Sequence, residues 1–258
     1  MTPSQIFTAF FTIVRKDVLR MFRIWPQTFL PSMVTSALYF LIFGAFLGSR
    51  IGEVHGVPYV MFVVPGLVML AVVTGSYANT SFVMFSSKFF GRNIDEILVS
   101  PTPAWVLVAG YIAGGVVRGV GIGLLVLMVS LFFTKLVVSN MFIVVLFLLL
   151  TSIVFSLAGL VNGVYAKSID GINIVPTFIL TPLVYLGGVF YSTAALPGFW
   201  STLTKFDPIF YVINGFRYGF LGIADVPLMV SLGVLIAFAL FFFAIAWYLI
   251  RTGLGLRQ

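Results

Sequence analysis

Few residues of this chain belong to the types that carry covalent chemistry in proteins. The 258 residues include no cysteine and a single histidine, His55. A zinc site or a Ser-His-Asp triad therefore has almost nothing to build on. The seven acids are scattered along the chain, and no G-x-x-x-x-G-K-[ST] phosphate loop occurs. The sequence predicts no catalytic residue, no metal site and no cofactor in this chain.

The composition predicts a protein whose main solvent is the lipid bilayer. Hydrophobic residues make up 61% and charged residues 8% of the chain, whereas soluble domains carry about 25% charged residues. The net charge of +7 raises the question of nucleic acid, but loops that obey the positive-inside rule explain it better. We therefore expect membrane lipids, and no nucleic acid, as partners.

Six apolar runs are long enough to cross a bilayer, which takes about 20 residues per helix. We predict one all-α membrane domain over 1–258, with spans at about 27–48, 59–84, 104–133, 141–165, 174–192 and 228–250. Ahead of the spans, 4–23 predict an amphipathic interfacial helix, because apolar residues recur at a spacing of four. That helix is either a simple anchor or a contact for a cytoplasmic partner.

The distribution of basic residues predicts that both termini are cytoplasmic. Nine bases fall on the side of the termini: Arg15, Lys16, Arg20, Arg23, Lys88, Arg92, Lys167, Arg251 and Arg257. Four fall on the other side: Arg50, Lys135, Lys205 and Arg217. This bias follows the positive-inside rule, provided that the chain crosses six times.

The stretch 180–222 is too apolar for an ordinary loop and too interrupted for a regular span. It contains Pro182, Gly187, Gly188, Pro197 and Pro208. Irregular backbone survives at membrane depth only where protein or a water-filled cavity satisfies its polar groups. Since 208–222 is short for a crossing, we predict that 193–224 form an external, re-entrant helical segment that returns to the outer side.

The spacing of residues in this broken stretch resembles the signature of the ABC-2 type transporter permeases. The matching positions are Leu180, Leu183, Leu186, Gly187, Val189, Leu196, Pro197, Pro208, Ile209, Tyr211 and Arg217. The resemblance covers essentially the whole chain. GSRIG, VPGLVM and NGFRYGFLGI are most similar to the YadH-like subgroup of bacterial inner-membrane permeases.

The resemblance implies a permease subunit that moves cargo across a bacterial inner membrane, in the direction of export. It implies two copies of the permease working with two copies of an ABC ATPase, and ATP and Mg bound on that partner. The absent phosphate loop agrees with a separate ATPase. Residues 85–103 resemble the family's coupling segment, so Phe89, Phe90, Arg92, Asp95 and Glu96 become candidate ATPase contacts. The alternative is a solvated interfacial loop.

Further candidate residues lie in the spans and in the outer segment. Pro208, Tyr211, Asn214 and Arg217 either line an exit gate or satisfy the broken backbone. Arg118 lies near the centre of the third span, where a charge is costly, so we expect it to face a partner, a cavity or the dimer seam. Glycines four residues apart predict close helix packing or a pathway: Gly115, Gly119, Gly159 and Gly163.

Two other classes of protein remain as alternatives. An integral-membrane enzyme that modifies lipids would need acids, histidines or serines clustered at the interface. A passive channel would show a repeated pore motif and would need no docking helix. The scattered acids and the segment 85–103 favour a transporter permease over both classes.

Overall fold

The computed structural model describes residues 1–90, 94, 96, 99–193 and 196–256, with backbone alone at Ala45 and Ser49. These residues fold almost entirely into helices, which confirms the all-α prediction. The α-helices are α1 Pro3–Arg23, α2 Trp25–Tyr39, α3 Gly48–Ile51, α4 Tyr59–Phe89, α5 Ala104–Ser130, α6 Met141–Tyr165, α7 Ile169–Val175, α8 Thr181–Leu186, α9 Gly198–Thr204, α10 Pro208–Leu221 and α11 Leu228–Thr252. A two-stranded hairpin pairs β1 (Glu53–Val54) with β2 (Val57–Pro58).

Six helical segments of the described chain are long and apolar enough to cross a membrane, as predicted. They are Trp25–Gly44, Tyr59–Phe89, Ala104–Ser130, Met141–Tyr165, Ile169–Leu186 and Leu228–Thr252. The fifth ends before the predicted residue 192, because two glycines follow Leu186 and Gly188 has φ +83°. Only glycine adopts that conformation readily.

Helix α4 is the centre of the fold. It packs against α5 and α6 along most of its length, and it also contacts α10. Its window of highest hydropathy is the most buried of the six. The core around it contains Phe62, Tyr77 and Phe147, each almost fully buried. Because α4 is mostly apolar and its buried Asn79 has a partner on another helix, it is suited to the middle of a bundle.

The first and fifth spans each contain a π-helical turn, at Phe40–Phe46 and at Pro176–Leu180. Such turns are uncommon and often mark functional sites. Aromatic residues connect the two spans: the ring of Phe43 stacks on that of Phe190, just after the fifth span, with centroids 4.2 Å apart, and the hydroxyls of Tyr39 and Tyr185 lie 3.3 Å apart. The two irregular spans are therefore held together beside the broken stretch.

Candidate coupling and gating sites

The candidate coupling segment begins at the last turn of α4. Phe85 is buried, and its ring lies 4.6 Å from that of Phe89. Phe90 is 68% exposed, so it is free to meet another surface. Lys88 Nζ donates to the carbonyl of Val164 over 3.1 Å, which ties this end of α4 to the end of α6.

The middle of the coupling segment is described only in part. Arg92 and Asp95 lie outside the described residues, so their proposed contacts stay predictions. Ile94 is buried against the transmembrane helices, whereas Glu96 is exposed. Ile94 thus packs on the membrane domain, and Glu96 faces away from it.

A polar cluster, buried except at the partly exposed Arg20, joins α1 to the transmembrane helices, and we call it the α1 clamp. Its members are Asp17, Arg20 and Asn79. Arg20 donates to Asp17 Oδ1 over 2.8 Å and to Asn79 Oδ1 over 3.0 Å. Asn79 Nδ2 donates to Asp17 Oδ2 over 2.8 Å. Both oxygens of the carboxylate are therefore satisfied, and a charged group of α1 is bonded to a residue of α4.

Sequence reasoning did not single out Asp17. It lies three residues after Val14 and seven after Phe10, so an acid occupies the apolar stripe of α1. An acid at that position predicts a buried polar contact, because charged residues are rarely buried without a partner. Gly114 of α5 makes the room, since a Cβ there would overlap the Asp17 carboxylate.

Arg118 of α5 lies close to the α1 clamp. It interacts electrostatically with Arg20 and with Asp17. Its Nε is buried without a hydrogen-bond partner among the described residues. A charged group inside a span normally marks a partner or a pathway, and here Asp17 of α1 is the acid that interacts with it.

Glycines let α5 and α6 approach α4 closely. A Cβ at Gly115 would overlap hydroxyls of Thr80 and Ser156, and a Cβ at Gly119 would overlap that of Ser76. On α6, Gly159 lies against the backbone carbonyl of Tyr77, and Gly163 would place a Cβ 2.6 Å from that of Ser81. This is the close approach that glycines at a spacing of four permit.

Gly159→Ala should destabilise the protein by about 1–3 kcal/mol, because its Cβ would meet backbone, which cannot rotate away. Gly233→Ala on α11 is the matched control, since nothing lies within 4 Å of a Cβ built there. Thermal unfolding of the purified variants measures both effects. Equal midpoints would contradict the assignment of Gly159 to a tight helix contact.

The segment 193–224, which is predicted to be external and is called the outer segment below, is held by polar residues that point towards the bundle. The Arg217 guanidinium donates to the carbonyl of Gly188 over 2.6 Å and lies 3.9 Å from the ring centroid of Phe62. Burial lowers the pKa of Arg217 to about 10, while Asp225 opposes the change. The side chain is 3% exposed, so in this conformation it satisfies the broken backbone at Gly188.

Asn214 joins α10 to the beginning of α11. Its amide nitrogen donates to the carbonyl of Val226 and to Ser231 Oγ, over 3.0 and 2.9 Å. Its carbonyl oxygen accepts from the backbone amides of Asp225 and Val226. All four hydrogen-bonding positions of the amide are used, so Asn214 fixes this turn.

Pro208 and Tyr211 shape the beginning of α10. Pro208 occupies the first turn, where its missing N–H costs nothing. Asp207 caps the helix by accepting from the Ile209 amide over 2.8 Å. The Tyr211 hydroxyl donates to the carbonyl of Lys205 over 2.7 Å. In this conformation all four predicted gate residues are engaged in supporting the segment.

The stability of the outer segment should fall as the pH rises from about 4 to about 7. Burial raises the pKa of the Asp207 carboxyl to about 7, although the bond from Ile209 opposes the change. A pKa raised on folding favours the protonated acid, so stability is lost as the pH rises through the folded value. Asp207→Asn keeps a capping oxygen but cannot ionise. We expect the melting temperature of the wild type to fall by several degrees between pH 4.5 and 7.5, and that of the variant to change less. If the melting temperatures of both proteins change equally with pH, Asp207 is not the source of the pH dependence.

The single histidine lies beside a serine and an aspartate at the hairpin of β1 and β2. His55 Nε2 lies 3.0 Å from Ser192 Oγ, which donates to Asp225 Oδ1 over 3.1 Å. A nucleophilic triad needs the carboxylate on the histidine, whereas here it accepts from the serine. The contacts therefore tie the hairpin, the broken stretch and the turn before α11 together. Among the described residues no group of three potential metal ligands occurs.

Comparison with known proteins shows to which family the chain belongs. The ABC-2 type transporter family model matches residues 8–221, which is most of the chain. The chain belongs to the ABC-2 type transporter family. This ABC-2 protein is 53% identical over 247 residues to the inner membrane transport permease YadH of Escherichia coli (strain K12), covering 96% of both chains. It is 25% identical over 244 residues to nodulation protein J of Rhizobium meliloti (strain 1021), covering 93% and 92%. It is thus a multi-pass membrane protein of the ABC-2 permease class.

Proposed function

We propose that this chain is the membrane permease subunit of an ABC transporter that exports cargo across a bacterial inner membrane. ATP hydrolysis in a separate subunit, which binds ATP and Mg, drives the transport. The family match over 8–221 carries the proposal, since the 258 residues contain no phosphate loop of their own. The inner membrane is supported by the relative whose name places it there.

The permease works as a homodimer with two ATPase subunits, and both of its termini are cytoplasmic. Support for a second copy comes from the first, fifth and last spans, whose windows are the least buried. Support for the orientation comes from the basic residues, which lie mostly on the side of the termini.

Motion of the ATPase reaches the permease through the coupling segment and α1. Phe90 and Glu96 are the described coupling candidates whose side chains are exposed. The α1 clamp then links α1 to α4, the central helix, so a displacement of α1 acts on the core of the bundle. The two permease copies rearrange about a midline pathway, and the 193–224 segments control the exit.

The outer segment suits a re-entrant gate by its length. Helix α10 has 14 residues, which span about 21 Å, and the hydrocarbon core is about 30 Å thick. The hydrogen bonds of Asn214 and Arg217 hold this helix against the bundle. An opening motion would have to exchange these bonds for others.

Co-purification with the candidate ATPase tests the proposal, with ATP turnover measured in the presence and absence of the permease. A stable complex with permease-dependent turnover is expected. Phe90→Ala with Glu96→Ala should weaken the complex. Phe206→Ala with Glu53→Ala, an equally exposed pair distant in sequence, should leave it intact. If the ATPase neither binds nor responds to the permease, the transporter assignment fails.

A further inference from the structure

A cavity of about 430 Å³ lies between α1, the last turns of α4 and the first turns of α5. Its volume falls in the range of pockets that bind small molecules, about 300–1,000 Å³. Its lining includes Asp17 and Arg20 of the α1 clamp and Ser86 and Ser87 of the coupling segment, but the roles assigned to them above do not require the space itself. Its lining therefore has to be explained separately.

One side of the cavity is strongly cationic. Lys16, Arg20 and Arg23 line it from α1, at spacings of four and three that place them on one helix face. Asp17 is the one acid among the lining residues, so the lining carries a net charge of +2. Both Asp17 oxygens are already bonded within the α1 clamp. Arg20 Nε is buried and makes no hydrogen bond in the described part of the chain.

The other side of the cavity is apolar with a few hydroxyl groups. Ile13 and Val83 supply aliphatic surface, and Ser86, Ser87 and Tyr111 supply hydroxyls. The walls belong to an amphipathic helix and to two spans, which places the cavity where headgroups meet acyl chains. Basic pockets between transmembrane helices bind anionic lipid headgroups in this way.

We propose that this cavity binds a phosphate-bearing anionic amphiphile of the membrane. The phosphate lies against Lys16, Arg20 and Arg23, and the hydrocarbon part lies along Ile13 and Val83. The two ends of the cavity match the two ends of such a molecule, a charged headgroup and an acyl chain. This binding is independent of the ATPase, so it can be measured on the permease alone.

The test is thermal unfolding of the full-length protein in neutral maltoside micelles, titrated with dihexanoyl phosphatidylglycerol. We expect a saturable rise in the melting temperature, larger than with dihexanoyl phosphatidylcholine or inorganic phosphate. Lys16→Gln with Arg23→Gln should raise the apparent Kd on the order of tenfold. Both side chains are exposed, so the fold should tolerate the change.

Arg15→Gln with Lys167→Gln is the matched control, because it removes two exposed bases that do not line the cavity. Ser86→Phe fills the cavity without changing charge and should also weaken binding. An equal loss in the control pair, or full binding to the Ser86 variant, would overturn the assignment to this cavity. Inorganic phosphate binding as tightly as phosphatidylglycerol would overturn the assignment to an amphiphile.

Discussion

Asp17→Ala is expected to destabilise the protein by about 3 kcal/mol or more, because its buried carboxylate accepts two hydrogen bonds, and bonds to a charged group contribute about 1.5–3 kcal/mol each. Arg20 would lose its carboxylate, and the Asn79 amide would lose its acceptor inside the bundle. If α1 transmits the motion of the ATPase, coupled ATP turnover should fall as well. Unfolding of the purified protein and turnover of the complex measure the two effects separately.

An exchange of the two side chains provides the decisive control. Asp17→Asn combined with Asn79→Asp keeps one carboxylate and one amide within reach of Arg20, which bonds to both positions. The double variant should recover most of the stability that Asp17→Asn alone loses. If the two single changes add without recovery, the contacts of the α1 clamp contribute little energy.

Arg217→Met is expected to have the second largest effect. It removes the donor to the Gly188 carbonyl and leaves that oxygen buried, at a cost of about 2–4 kcal/mol. The contact with the Phe62 ring is lost as well. Arg217→Lys should recover part of the loss, because an ammonium supplies the charge without the planar donor group.

Lys205→Met is the matched control, since Lys205 is exposed in the same outer segment. It should leave the melting temperature unchanged within error. Transport by variants that still fold distinguishes a supporting role of Arg217 from direct contact with cargo. A normal melting temperature with lost transport in Arg217→Met would contradict the supporting role and favour direct contact with cargo.

The spans could be predicted from local sequence alone. A segment such as 141–165 or 228–250 needs only enough consecutive apolar residues to match the bilayer thickness. The structure places helices at Met141–Tyr165 and Leu228–Thr252. The ABC-2 signature was equally readable, since its residues lie at fixed spacings within one stretch, 180–217.

The partners of the polar residues could not be predicted in this way. Asp17 and Asn79 are 62 positions apart, and Arg217 and Gly188 are 29 apart. A polar residue in a span has many possible partners, and periodicity within one helix does not choose among them. The sequence therefore left two roles for Arg217, lining an exit gate or satisfying the broken backbone, and Asp17 was not singled out.

The sequence by itself determined that this is an integral membrane protein with six apolar helices long enough to cross the bilayer, and that it belongs to the ABC-2 permeases. Hydropathy and motif spacing are local properties, so they are readable without a fold. Only the tertiary structure decided that Asp17 is buried against Asn79 and that Arg217 turns inward to Gly188. The reason is physical: a buried polar group takes whichever partner the packing of distant helices brings within about 3 Å.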